Sequence, residues 1–71
     1  MKKITQDVIK NCKAKVQQGK TVQNIISYLF SMDFEEAEVL AVMEKLGADK
    51  KRIKEILAYD FGLDYETVMG L

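Results

Sequence analysis

The sequence predicts an all-α fold, a compact bundle of four to five short helices forming one domain over residues 1–71. Three observations predict it. Apolar residues recur at i, i+3, i+4 and i+7, the period of a helix with one buried face. Capping residues and glycines punctuate the chain at short intervals, and there is no proline. No stretch alternates apolar and polar residues as a half-buried strand would.

Thr5 caps a first helix, with Ile4 before it and Ile9 inside it as a hydrophobic staple. Val8, Ile9, Cys12 and Val16 then keep a helical spacing up to Gly19. A second helix starts near Thr21, where Val22, Ile25, Ile26, Leu29 and Phe30 form an amphipathic stripe. Asp33 and Glu36, three residues apart, read as a capping box that opens a third helix. Its Val39, Leu40, Ala41, Val42, Met43 and Leu46 make an apolar arc too wide for a surface helix, so a central position is expected. Gly47 ends it, with Lys45 suited to the negative end of the helix dipole. Asp49 caps a fourth helix carrying Ile53, Ile56, Leu57 and Phe61, and Gly62 follows its end. Asp64 caps a short fifth, with Leu63 and Val68 as a second staple. Asp33, Asp49 and Asp64 thus recur at intervals of sixteen and fifteen residues. That suits a stacked helical array, or simply the length of a helix plus its turn in a compact bundle.

Composition narrows the function. Of the 71 residues 48% are hydrophobic and 31% charged, which is globular rather than disordered. There is no histidine, so the commonest general base and metal ligand are both missing. Cys12 stands alone, with no partner for a disulfide and no histidine to activate it, and reads as a small buried hydrophobe. A non-enzymatic binding protein is expected, with no cofactor and no metal. The basic start Met1-Lys2-Lys3 is followed by Asp7, Lys10, Lys13 and Lys15 rather than an apolar run, which argues against a targeting segment. The apolar-rich stretch from Ile25 to Met32 is far shorter than the roughly 20 residues of a membrane helix. A cytoplasmic protein with no membrane partner is therefore the expectation.

Eleven Lys/Arg cancel eleven Asp/Glu, yet the charges are segregated. Residues 1–20 hold six lysines against Asp7, residues 21–48 hold five acids against Lys45, and residues 49–71 hold five acids against four bases. Those four bases, Lys50, Lys51, Arg52 and Lys54, occupy five positions at the start of the fourth helix.

Two segments carry a family resemblance. In residues 42–56, Val42, Leu46, Ile53 and Ile56 are spaced to pack two helices together, Gly47 takes the turn and Asp49 the cap, with Met43 and Ala48 as departures. In residues 57–71, Ala58, Gly62, Leu63, Val68 and Leu71 suit the same pattern more closely. Each segment resembles the helix-turn-helix motif of DNA-binding regulators. The resemblance implies a recognition helix in a major groove and dimeric binding to two half-sites of double-stranded DNA. Charge separates the two segments. The second presents Asp60, Asp64 and Glu66 with no cation, and these repel phosphate. In the first, Lys50, Lys51, Arg52 and Lys54 are placed to reach phosphates or guanine edges.

Two functions follow. The leading one is a small DNA-binding transcription regulator acting through Lys50, Lys51, Arg52 and Lys54, with a homodimer expected. The basic residues of the first helix would extend its cationic face if the two helices lie side by side. The alternative is a protein-protein interaction module or inhibitor whose acidic patch, Glu35, Glu36 and Glu38 foremost, pairs with a basic partner. The pI near 6.2 favours the alternative. The same three glutamates equally suit the positive start of a helix. Tyr28, Phe30, Phe34, Tyr59, Phe61 and Tyr65 read as core or core-edge side chains.

Overall fold

The computed structural model describes residues 4–71, and the Met1-Lys2-Lys3 start lies outside them. Five helices follow in order: α1 (Gln6–Gln17), α2 (Val22–Ser31), α3 (Glu36–Lys45), α4 (Lys50–Tyr59) and α5 (Tyr65–Met69). Among the described residues there is no strand. The all-α bundle expected from the apolar spacing is therefore the architecture.

Local chemistry sets most boundaries where the sequence places them. The Thr5 hydroxyl accepts the Val8 N–H at 3.3 Å, and the Thr21 hydroxyl accepts the Asn24 N–H at 3.1 Å. Each satisfies one of the N–H groups that a helix start leaves without an internal partner. At the other end of α3, Gly47 has φ +89°, and the Ala48 N–H donates to the Met43 carbonyl at 3.1 Å. This closure needs a left-handed residue, a conformation that glycine adopts without steric cost.

The start of α3 departs from expectation. Asp33 does not cap it: Asp33 is itself left-handed, with φ +68°, and closes α2. The Phe34 N–H donates back to the Leu29 carbonyl at 3.3 Å, and Phe34 buries its ring. With Asp33 left-handed and Glu35 extended (φ −83°, ψ 167°), α3 begins only after residue 35. Glu35 is its N-cap, and Glu35 and Glu38 form the capping box that the sequence assigns to Asp33 and Glu36. The caps of α3, α4 and α5 are thus Glu35, Asp49 and Asp64, which removes Asp33 from the apparent repeat.

Each helix packs chiefly on its neighbours in the chain, α1 on α2, α2 on α3, α3 on α4 and α4 on α5. One apolar cluster joins them, with Val8 and Cys12 from α1, Ile25, Ile26 and Leu29 from α2, Ile53, Ile56 and Leu57 from α4, and Val68 from α5. The central position expected for α3 is borne out. It lies between α2 and α4 and buries Val39, Leu40, Val42 and Met43. Val16, in contrast, is 52% exposed, because the apolar face of α1 ends one turn earlier, at Cys12. The radius of gyration, 11.3 Å, matches the roughly 11 Å that a compact chain of this length should have.

Candidate functional site

The four cations of α4 do not share one environment. At about 100° per residue, Lys50, Lys51 and Arg52 are spread over roughly 200° of the helix circumference. Lys50 Nζ lies 3.8 Å from Glu44 Oε1, a pair half exposed on both sides and therefore worth only ~0–1 kcal/mol. Lys51 and Arg52 are exposed. Lys54, one turn on from Lys50 and on the same side of α4, is already engaged. Its ammonium donates to the Met69 carbonyl at 3.1 Å and to the Leu71 carbonyl at 2.7 Å, so it holds the end of α5. Asp49 stands at the N-cap of α4, as expected, but its side chain makes no capping hydrogen bond.

The basic residues of α1 face elsewhere. Lys10 and Lys13 border a groove shared with Lys45 of α3, whereas Arg52 borders a depression shared with Gln23 and Tyr59. Arg52 and the lysines of α1 thus open onto different parts of the surface. Lys15 lies with its ammonium 4.4 Å from the centre of the Tyr28 ring, a cation–π contact between α1 and α2.

The three glutamates are drawn into the start of α3. Glu38 is buried, and its Oε1 accepts the Glu35 N–H at 2.9 Å. Glu36 is half-buried, and Glu35 is exposed. Two of the three carboxylates are thus engaged with the helix's own backbone. Cys12 has no exposed surface, and burial pushes its thiol pKa up, with the Lys15 ammonium pulling weakly the other way. A thiol so placed is a poor nucleophile. Among the described residues no group of three or more Cys, Asp or Glu side chains is arranged to hold a metal ion, and no helix is long and apolar enough to cross a membrane.

Two rings expected at the core or its edge stand free instead. Tyr59 is 70% exposed and Tyr65 53% exposed, and their ring centres lie 6.1 Å apart. Arg52, Glu55 and Tyr59 fall at i, i+3 and i+7, within about 60° of one another around α4. The α4 register contains the signal for Tyr59: with Ile53, Ile56 and Leu57 inward, Tyr59 is carried outward. Phe30 and Phe61 behave as expected, packing together with ring centres 5.8 Å apart at the edge of the core. At the end of α4, Gln23 Nε2 donates to Asp60 Oδ2 at 2.9 Å, tying the start of α2 to this same face.

No known family's model matches this chain, and no curated protein or solved structure shows significant similarity to it.

Proposed function

We propose that this chain is a non-enzymatic binding protein, a small helical module that docks on another protein through the outer face of α4 and the start of α5. The observation that carries this reading is the exposed Tyr59–Tyr65 pair beside Arg52. Tyrosine and arginine are the residue types that anchor protein interfaces. They bring large area with little rotamer entropy and keep a polar tip for the partner. Two exposed rings side by side gain from being covered, and Arg52, Glu55 and Asp60 around them supply both signs of charge for a polar rim. The partner this favours has an apolar centre ringed by mixed charge. The Tyr face is preferred over the acidic patch because Glu35 and Glu38 already serve the start of α3.

Site-specific photo-cross-linking in cells tests the reading. A photoreactive phenylalanine analogue placed at Tyr59 should give a discrete adduct, weakened by Tyr65→Ser, while the same group at Gln17 gives none. An adduct of twice the chain's mass would make the partner a second copy. Adducts that ignore position or Tyr65 would sink the proposal.

A second reading, binding of double-stranded DNA, is favoured by one observation. Lys51 and Arg52 are exposed beside Lys50, at a helix start that follows a tight turn. Fluorescence anisotropy with a mixed-sequence duplex at low salt tests it. Micromolar binding weakened by Lys51→Ala and Arg52→Ala supports DNA, and none at that concentration rejects it.

A further inference from the structure

An open groove of about 560 Å³ lies where the start of α1 meets the end of α3. Its size falls within the roughly 300–1,000 Å³ of small-molecule sites. Ile4 and Ile9, both half-buried, give it an apolar floor. Lys10 and Lys13 of α1 and Lys45 of α3 border it, and no acidic residue does. The described residues hold one ion pair, Lys50–Glu44, so these three lysines have no carboxylate partner among them.

That arrangement has an electrostatic cost without a ligand. Lys10 and Lys13 are one turn apart on the same helix face, a like-charge spacing that mildly destabilises a helix, and Asp7, one turn before Lys10, offsets it only at the Lys10 end. Lys45 adds a third positive charge from across the groove. The carbonyl end of α3 accounts for Lys45 being there, but it does nothing for Lys10 and Lys13. An anion in the groove would offset all three. The lysines also indicate which anion. Ammonium groups are compact point charges, suited to the tetrahedral oxygens of phosphate, whereas planar carboxylates are matched best by the guanidinium fork that this groove lacks.

We propose that this groove binds a small organic phosphate, its phosphate held by Lys10, Lys13 and Lys45 and its apolar body resting on Ile4 and Ile9. The site is separate from the Tyr59–Tyr65 face and does not depend on the function proposed for it.

A ¹H–¹⁵N NMR titration of the whole chain with 1-naphthyl phosphate tests the proposal, with inorganic phosphate and 1-naphthol as comparisons. Saturable shifts are expected at residues 4–13 and around Lys45, with a Kd of about 0.1–1 mM. Inorganic phosphate and naphthol should each bind about tenfold more weakly, since each supplies half of the match. The double variant Lys10→Gln/Lys13→Gln should weaken naphthyl phosphate about tenfold, and Lys51→Gln should not change it. Both lysines are exposed, so the rest of the variant's spectrum should stay in place. The proposal is overturned by shifts that do not saturate or are shared equally by the lysines of α4. An affinity indifferent to Lys10 and Lys13, or equal for phosphate with and without the naphthyl group, overturns it too. Binding to phosphatidylglycerol vesicles without a response to soluble naphthyl phosphate also overturns it, because the chain would then be reading a charged surface rather than filling the groove.

Discussion

Lys54 reaches from α4 to the end of α5 and donates its ammonium to the backbone carbonyl of Met69. The contact explains how a helix of five residues persists. An isolated helix so short is unstable in water, because nucleation fixes several residues for few hydrogen bonds. Here Asp64 satisfies its start, Val68 buries its middle, and the Lys54 cation meets the negative end of its dipole. Lys54→Met keeps the alkyl stem and removes the donors. It should cost about 1 kcal/mol, below the roughly 1.5–3 kcal/mol usual for a hydrogen bond to a charged group, because the site is partly exposed. Urea denaturation would show a lowered midpoint with an unchanged slope, and amide exchange would quicken first in residues 65–71. An unchanged midpoint would mean that the contact contributes nothing to the fold.

How much of this was legible in the sequence depends on the range of the interaction. Thr5, Thr21 and Asp64 act on N–H groups three residues away, and a local pattern captures them. Asp33 shows where local patterns compete. Asp33 with Glu36 and Glu35 with Glu38 are both spaced as capping boxes, and the fold takes the second, with Phe34 buried just before it. That burial is a tertiary fact. The role of Lys54 was less legible for the same reason. Lys54 looks like one more cation of a basic run until the end of α5, 15 residues away in sequence, is placed beside it. Tyr59 looks like core by composition, and only the register set by Ile53, Ile56 and Leu57 turns it outward.

The turn after α2 offers a test of backbone strain. Asp33 holds φ +68°, a conformation that costs a residue with a side chain roughly 1–2 kcal/mol, less for Asp than for most. Asp33→Gly removes the strain but loosens the unfolded chain by a similar ~0.4–1 kcal/mol, so stability should stay level or rise slightly. Asp33→Val should fall by about 1–2 kcal/mol, since a β-branched residue tolerates this region least. Gly47→Ala makes the parallel case: an added Cβ would meet nothing within 4 Å, so its loss of about 1–2 kcal/mol would be backbone strain alone. Thermal melts of the three variants give the order. A valine variant as stable as the parent would show that the turn relaxes out of the left-handed region.

Cys12 should report on opening of the core. Its side chain has no exposed surface, and burial raises its pKa, so little reactive thiolate forms near neutral pH. A disulfide reagent such as dithionitrobenzoate should label the folded chain slowly and the urea-unfolded chain at once. The folded rate should rise steeply with urea well below the unfolding midpoint only if α1 separates from α2 before the rest unfolds. Rapid labelling without denaturant would contradict the packing of α1 described above.

Asp64 supplies a pH test with a definite sign. Its carboxylate accepts the Thr67 hydroxyl at 2.7 Å and the Thr67 N–H at 3.0 Å. The hydroxyl bond, followed by the backbone bond, lowers its pKa below the ordinary aspartate value, and slight desolvation opposes them. A carboxyl whose pKa is lower in the folded state binds its proton more weakly there than in the unfolded chain. Protonation therefore favours unfolding. The Asp64 contribution is complete above the ordinary aspartate range near about pH 4 and is lost as pH falls through the lowered folded value. Melting temperatures of the parent and Asp64→Ala, measured from pH 7 down to about 2, should differ by a constant amount at the neutral end and converge at the acid end. Asp64→Asn, which keeps an acceptor but no charge, should retain part of the difference at neutral pH and show no such convergence with acid. A gap between parent and alanine variant that widens as pH falls would mean that the carboxylate is not the capping acceptor of α5.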